Sequence, residues 1–68
     1  MTVVKIIELV GSSNEGWKEA AENALMEAAK TVRTIVGMDV VGWTAKVEKN
    51  KIASYKANVK IAFIADRP

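Results

Sequence analysis

The feature that most constrains the fold is a long stretch of alternating residues near the end of the sequence. Apolar side chains occupy every second position from Ala53 to Ala65, and four of the positions between them are polar: Ser54, Lys56, Asn58 and Lys60. A period of two is typical of an antiparallel strand with one covered face. Such a strand of about 13 residues spans roughly 40 Å. The sequence therefore predicts a sheet that contains one long strand.

Two more strands are predicted before it. Residues 3–10, VVKIIELV, are rich in β-branched residues and are followed by the turn residues GSSN. A second strand is predicted over 38–47, and residues 48–51, EKNK, connect it to the last strand, with Asn50 in a left-handed conformation. The order is β-α-β-β, which predicts an α+β fold in which residues 1–68 form a single domain.

The helix between the first two strands has a continuous apolar stripe. Its members follow the spacing of one helix face: Trp17, Ala20, Ala21, Ala24, Leu25, Ala28, Val32 and Ile35. Ser12 or Ser13 is predicted to cap the helix, and Glu15 would complete a capping box if Ser12 is the cap. Gly37 is predicted either to stop the helix or to begin the next strand.

One helix is too narrow to cover three long strands. A helix of about 20 residues covers ~30 Å of length but is only ~10 Å wide. A chain of 68 residues buries a small core, and this one has no Cys or His with which to add a disulfide or a zinc site. We therefore predict an obligate homo-oligomer that buries the uncovered face of the sheet.

Enzyme chemistry has few groups to work with. The sequence lacks His and Cys and has no nucleophile motif, so we predict that the protein is not an enzyme. Metal ligands would have to be carboxylates, which are scattered along the chain: Glu8, Glu15, Asp39, Glu48 and Asp66. A calcium or magnesium site would need several segments or chains. The metal-binding residues therefore stay unknown.

Charge and hydropathy favour no nucleic-acid or membrane partner. The net charge is +2, and the five lysines between Lys46 and Lys60 are interpreted as a solvated hairpin tip. No apolar run approaches the ~20 residues of a membrane helix. The first residues lack the pattern of a secretory signal, and we expect a cytoplasmic protein.

The structural roles of two tryptophans and two glycines bear on whether the chain has a binding site. Trp17 is predicted to be core. Trp43 would either pack under the helix, which we favour, or lie at a subunit contact and stack on a neighbour or a planar ligand. Gly37 and Gly42 mark either a bent strand or a place where a ligand or another chain comes close.

The sequence resembles the dodecin family over nearly its whole length. The resemblance rests on the first strand running into ELVGSS, on Trp17 after the cap, on the alanine-rich helix and on the closing segment SYKANVKIAFIAD. It implies a three-stranded antiparallel sheet partly wrapped around one helix, and twelve copies that form a hollow sphere. Flavin-binding dodecins hold flavins between symmetry-related chains, stacked on a tryptophan of the second strand and hydrogen-bonded by a glutamine of the third.

Both of those positions differ here. Gly37 matches the stacking tryptophan and Lys56 matches the glutamine, so an aromatic face and a hydrogen-bond acceptor are lost. The predicted ligand-binding residues are those around the two positions: Val36, Gly37, Met38, Asp39 and Lys56. The resemblance implies FMN or riboflavin as the ligand, and the two replacements predict that flavin is bound weakly or not at all.

The sequence thus predicts a non-enzymatic, dodecin-like homododecamer that binds or stores a small molecule in cavities between its subunits. The alternative is a calcium-binding or purely structural dodecamer, because the chain also resembles calcium dodecins in Trp17 and in the basic residue after Tyr55. In that alternative Gly37 serves only as a helix stop.

Overall fold

The sheet and helix follow the predicted order β-α-β-β. A computed structural model describes residues 3–65. Its elements are β1 (Val3–Ser13), α1 (Trp17–Ala29), β2 (Ile35–Glu48) and β3 (Lys51–Ala65). The strands form one antiparallel sheet in the order β1-β3-β2. The α+β fold class is confirmed. Residues 3–65 contain one helix, and it is not long and apolar enough to cross a membrane.

The long alternating strand is the centre of the molecule. Three alternate residues in the middle of β3, Ala57, Val59 and Ile61, are fully buried, and the residues of the same phase on either side of them are half-buried. They pack against four alanines of α1, namely Ala20, Ala21, Ala24 and Ala28. We call the face of the sheet that α1 covers the inner face and the opposite one the outer face. The alternation in the sequence therefore identified the core face of β3 correctly.

Gly11 lets the helix lie directly on β1. A Cβ atom at this position would overlap the carbonyl oxygen of Ala20 and lie 2.9 Å from the Cβ of Ala24. The prediction that residues 11–13 form a turn was wrong, since β1 continues to pair with β3 as far as Ser13, opposite Tyr55. The glycine serves close helix packing inside a strand, a use that looks the same as a turn in the sequence.

The predicted N-terminal cap of the helix was also wrong. Gly16 is the N-cap residue and has no side-chain capping hydrogen bond. Instead the hydroxyl of Ser13 accepts a hydrogen bond from the backbone N–H of Glu15, at 3.0 Å, within a local turn. Because β1 includes Ser12 and Ser13, neither serine stands next to the first turn of α1.

The helix ends much earlier than its apolar stripe predicted. Ala29 is its last residue and Lys30 is the C-cap, so Gly37 does not stop it. The chain then turns through Thr34, which has a positive φ of 55°, and β2 begins at Ile35. β-branched residues at positions 31, 32, 34 and 35 favour extended structure over helix. The predicted helix stop at Gly37 was therefore wrong, as was its placement at the first position of β2.

A two-residue turn joins β2 and β3. Glu48 pairs with Lys51, and Lys49 and Asn50 between them have φ values of 52° and 63°. Two positive φ angles are typical of a type I′ turn, whose twist matches that of the flanking strands. The left-handed conformation predicted for Asn50 is confirmed.

Neither tryptophan is buried as predicted. Trp17 is 37% exposed, contacts Tyr55 edge to face with ring centroids 4.7 Å apart, and donates its indole N–H to the Thr44 carbonyl oxygen at 2.9 Å. Trp43 is 50% exposed, because α1 lies mainly on β1 and β3. The prediction that Trp17 is core and the one that Trp43 packs under the helix were therefore wrong. Trp17 instead ties the start of the helix to β2.

We expect Trp17→Phe to lower the free energy of unfolding by about 1 kcal/mol, because the ring stays near Tyr55 while the hydrogen bond to Thr44 is lost. Urea denaturation at one fixed protein concentration measures the change. Trp43→Phe is the matched control, since the indole of Trp43 makes no hydrogen bond within residues 3–65. Equal losses for the two variants would show that the indole N–H of Trp17 contributes nothing.

Candidate functional site

The outer face of the sheet carries an open groove around Gly37. Gly37 and Ile6 both lie opposite Ala62 in the register of the sheet, one on each side of β3. The groove has a volume of about 420 Å³. It is lined by Ile6, Gly37, Met38, Asp39, Lys60 and Ala62. The groove therefore crosses all three strands at the level where β2 begins.

A row of charged residues borders the groove. Lys60 of β3 lies between Glu8 of β1 and Asp39 of β2, directly opposite each of them. Within residues 3–65 the salt bridges are Lys30–Glu27 and Lys46–Glu48, so the Lys60 ammonium is not within 4.0 Å of either neighbouring carboxylate. The groove thus presents a positive donor beside a negative acceptor, both accessible to a ligand.

Open space surrounds both glycines of β2. A Cβ atom added at Gly37 or at Gly42 would meet nothing within 4 Å. Irregularities in the register of β2 separate Ile35 from Gly37 and Val40 from Gly42. These glycines therefore accompany bulges in a bent strand and leave room on its surface. The close backbone approach that a strand glycine can signal occurs at Gly11 instead.

The predicted site residues are only partly brought together. Gly37, Met38 and Asp39 line the groove, and Val36 is their exposed neighbour in β2. Lys56 lies on the same outer face but pairs with Ser12 and Thr44. Its nearest groove residue on β3 is Lys60, four residues away, which corresponds to roughly 13 Å. Within one chain Lys56 therefore does not line the groove.

Sequence reasoning missed Lys60 and Ile6 as groove residues. Lys60 has the same alternation phase as Lys56, so its face could be read from the sequence. Its position beside Asp39 depends on the register between β2 and β3, which shifts at three places along β2. Ile6 joins the groove only because β3 lies between β1 and β2. No local pattern in the sequence indicates that strand order.

The groove has no aromatic wall within one chain. Tyr55 and Phe63 share the alternation phase of the buried residues of β3, Trp43 lies opposite Ala57, and Trp17 belongs to α1. All four aromatic residues of the chain are thus on the inner side of the sheet, and none lines the groove. The residues of one chain do not fit a flavin held by ring stacking.

Acidic residues do not converge into a metal site in the part of the chain that the structure describes. No group of three Asp or Glu side chains lies close enough together within residues 3–65 to hold an ion. Glu8 and Asp39 are separated by Lys60. Asp66, one of the five carboxylates considered from the sequence, lies outside the described residues.

Comparisons with known proteins point to one family. A family model described as Dodecin matches residues 3–66. A solved structure of a protein from Thermus thermophilus is 28% identical, with 100% of both chains covered and a TM-score of 0.94. An arginine-to-alanine variant of the Thermus thermophilus dodecin gives the same values. A search of curated protein sequences found no match.

A more distant structure has the same fold. Dodecin from Streptomyces coelicolor is 24% identical, covers 98% of this chain and 96% of its own, and has a TM-score of 0.93. The β-α-β-β order and the long antiparallel sheet of this chain therefore match those of all three structures.

Proposed function

Because this chain belongs to the dodecin family, we propose that it is a non-enzymatic protein that assembles as a homododecamer and binds or stores a small molecule in cavities between its subunits. Residues 1–68 would form a single domain in the cytoplasm, with neither nucleic acid nor a membrane as a partner. The observation that carries the proposal is the groove at Gly37, whose open side a second copy of the chain would close.

The exposed apolar surface supports assembly. Val4, Ile6 and Val10 are 54%, 56% and 64% exposed, and all three belong to the outer face of β1. Soluble monomers rarely leave large contiguous apolar patches in water. The helix is shorter than the sequence predicted, with 13 residues, and so covers even less of the sheet. Association of copies through the outer face would remove this apolar surface from water.

The groove has the size and chemistry of a small-molecule site. Its volume of about 420 Å³ lies within the roughly 300–1,000 Å³ of ligand pockets. Lys60 can donate hydrogen bonds to an anionic or carbonyl oxygen, and Asp39 can accept from an N–H or O–H group. Lys56 would join the site only from a second copy. The ligand proposed is therefore a small polar molecule with an anionic group.

Flavin is the ligand that the family resemblance implies, but we propose that it binds weakly. Stacking of a planar base on an aromatic side chain is worth about 1–3 kcal/mol, and no ring lines this groove. The alternative is a calcium-binding or purely structural dodecamer. Calcium ligands would have to come from more than one chain, because the described residues of one chain do not form such a cluster.

Light scattering and ligand titration on the purified protein test the proposal. We expect the mass of twelve copies, and a riboflavin affinity weaker than micromolar, measured by the quenching of flavin fluorescence. A single subunit persisting at high concentration would refute the assembly. Micromolar quenching would refute weak flavin binding. A rise in melting temperature with CaCl₂, absent with MgCl₂, would favour the calcium alternative, because a ligand of the folded state stabilises it.

A further inference from the structure

The β2–β3 hairpin projects beyond the rest of the molecule. Pairing between β1 and β3 ends at Ser13, opposite Tyr55, whereas pairing between β2 and β3 continues to Glu48 and Lys51. Residues 46–54, which we call the hairpin arm, therefore form a two-stranded ribbon, and no third strand pairs with it among residues 3–65. The arm also lies past the first turn of α1, where Trp17 contacts Tyr55. An isolated two-stranded hairpin is marginally stable in water.

The side chains of the arm combine an apolar pair with positive charge. Val47 and Ile52 lie opposite each other and are 63% and 49% exposed. The arm holds three lysines and one glutamate, and the glutamate, Glu48, is already paired with Lys46 at 3.3 Å. Lys49 and Lys51 at the tip are therefore not neutralised by a salt bridge within residues 3–65. A fitting partner surface is apolar and acidic.

The solvent side of α1 has that character. Residues 15–30 contain four glutamates and two lysines. Glu19, Glu22 and Met26 follow one another at spacings of three and four, which places them on one stripe of the helix. Met26 is 63% exposed, Glu22 is exposed and Glu19 is partly buried. The remaining acid of the helix, Glu27, is paired with Lys30 at 3.2 Å. The stripe offers an apolar contact beside two carboxylates that form no salt bridge within residues 3–65.

The arm and the stripe of the same chain cannot meet. Lys51 is four residues beyond Tyr55, roughly 13 Å along the strand. Glu22 is five residues beyond Trp17 in the opposite direction, roughly 7 Å along the helix. Because Trp17 contacts Tyr55, the two charged groups lie at opposite sides of this contact. Any pairing of the arm with the stripe must therefore join two copies.

We propose that the hairpin arm of one copy docks on the Glu19–Glu22–Met26 stripe of a second copy, with Val47 and Ile52 against Met26 and with Lys49 and Lys51 facing the two glutamates. This inference rests on the proposed homo-oligomer. It adds a contact in which one surface of each chain meets a different surface of the next, so that a charge change appears once in every repeat of the assembly.

Charge reversal tests the contact. We expect Lys49→Glu with Lys51→Glu to raise the protein concentration at which the assembly dissociates at least tenfold, and Glu19→Lys with Glu22→Lys to do the same, because like charges would then face each other. All four changes in one chain restore opposite charges and should return the value to within threefold of the original. Light scattering over a dilution series measures it. Lys5→Glu with Arg33→Glu is the control, because it changes the net charge by as much as the double lysine reversal does at residues outside the arm and the stripe.

The combined variant separates docking from folding. Any cost of the reversals to the helix or to the turn remains in it, but its net charge returns to the original value. Rescue therefore shows complementary charge when the net-charge control leaves dissociation unchanged. Reversals that leave dissociation unchanged, or a combined variant no better than its parents, would overturn the docking contact. If the unmodified protein is a single subunit at every concentration, the proposed assembly itself fails, which is a different result.

Disulfide trapping provides a second measurement with all charges intact. The chain has no cysteine, so only introduced thiols can pair. We expect Ile52→Cys chains mixed with Met26→Cys chains, refolded together and oxidised, to yield mixed disulfide dimers on a non-reducing gel. Lys5→Cys replaces Met26→Cys in the control, because Lys5 lies near the far end of β1. Equal yields in the two mixtures would overturn the proposed docking.

Discussion

Gly37→Trp is expected to raise the affinity for riboflavin at least tenfold. A Cβ atom at this position meets nothing within 4 Å, so the backbone can accept a side chain without a clash. The indole would supply the aromatic wall that the groove lacks, and stacking of a base on an aromatic side chain is worth about 1–3 kcal/mol. A tenfold change in affinity corresponds to about 1.4 kcal/mol. Fluorescence titration of riboflavin measures it.

Gly42→Trp is the matched control for this experiment. Gly42 also belongs to β2, also has open space around its Cβ position and lies opposite Asn58, away from the groove. The same gain from Gly42→Trp would mean that an added ring binds flavin wherever it is placed. No gain from Gly37→Trp, alone or with Lys56→Gln, would show that the ligand site is not at Gly37.

Gly11→Ala is expected to lower the free energy of unfolding by at least about 2 kcal/mol. The added methyl group would overlap the Ala20 carbonyl oxygen and crowd the backbone nitrogen of Ala24 at 2.9 Å. These are atoms of a helix backbone, which cannot rotate away, so α1 would have to move off β1. Overpacking of this kind usually costs about 1–3 kcal/mol. Urea denaturation at a fixed protein concentration measures the loss.

Gly42→Ala controls for the conformational entropy of glycine. Neither Gly11 nor Gly42 has a positive φ, so alanine can adopt the backbone conformation at both positions. At an uncrowded site such a change stabilises a protein by about 0.4–1 kcal/mol. We therefore expect the two variants to shift stability in opposite directions. A Gly11→Ala variant as stable as Gly42→Ala would contradict the close packing of α1 on β1.

Much of the fold could be predicted because it is encoded by neighbours along the chain. The alternation from Ala53 to Ala65 identified the strand and its buried face, and Asn50 identified the hairpin turn. The alanine stripe identified the helix and the side that packs. These patterns depend on the geometry of single elements, with periods of 2 and 3.6 residues, and so can be read without knowing the tertiary structure.

The ends of the elements were harder to predict. The apolar stripe continues to Ile35 in the sequence, yet the helix ends at Ala29, because Ile35 pairs with Phe63 in the sheet. Gly11 was interpreted as a turn residue, and its role depends on the approach of Ala20 and Ala24. In both cases a contact with a distant segment outweighed the local pattern.

The candidate site shows the same division. Gly37, Met38 and Asp39 were found from the sequence through the family resemblance, whereas Lys60 and Ile6 were not. Lys56 was grouped with Gly37, although the two residues lie apart within a single chain. The groove is formed by a strand order of β1-β3-β2 and by bulges that set which residues of β2 face Lys60.

The sequence by itself determined the β-α-β-β order, the buried face of the central strand, the absence of His and Cys chemistry, and the apolar surface that one helix cannot cover. Only the tertiary structure decided that Gly11 is the point of close helix contact, that Lys60 and not Lys56 borders the groove, and that every aromatic ring lies away from it. Periodicity is a property of adjacent residues, but register and packing are set by residues distant along the chain, whose free energies depend on the whole fold.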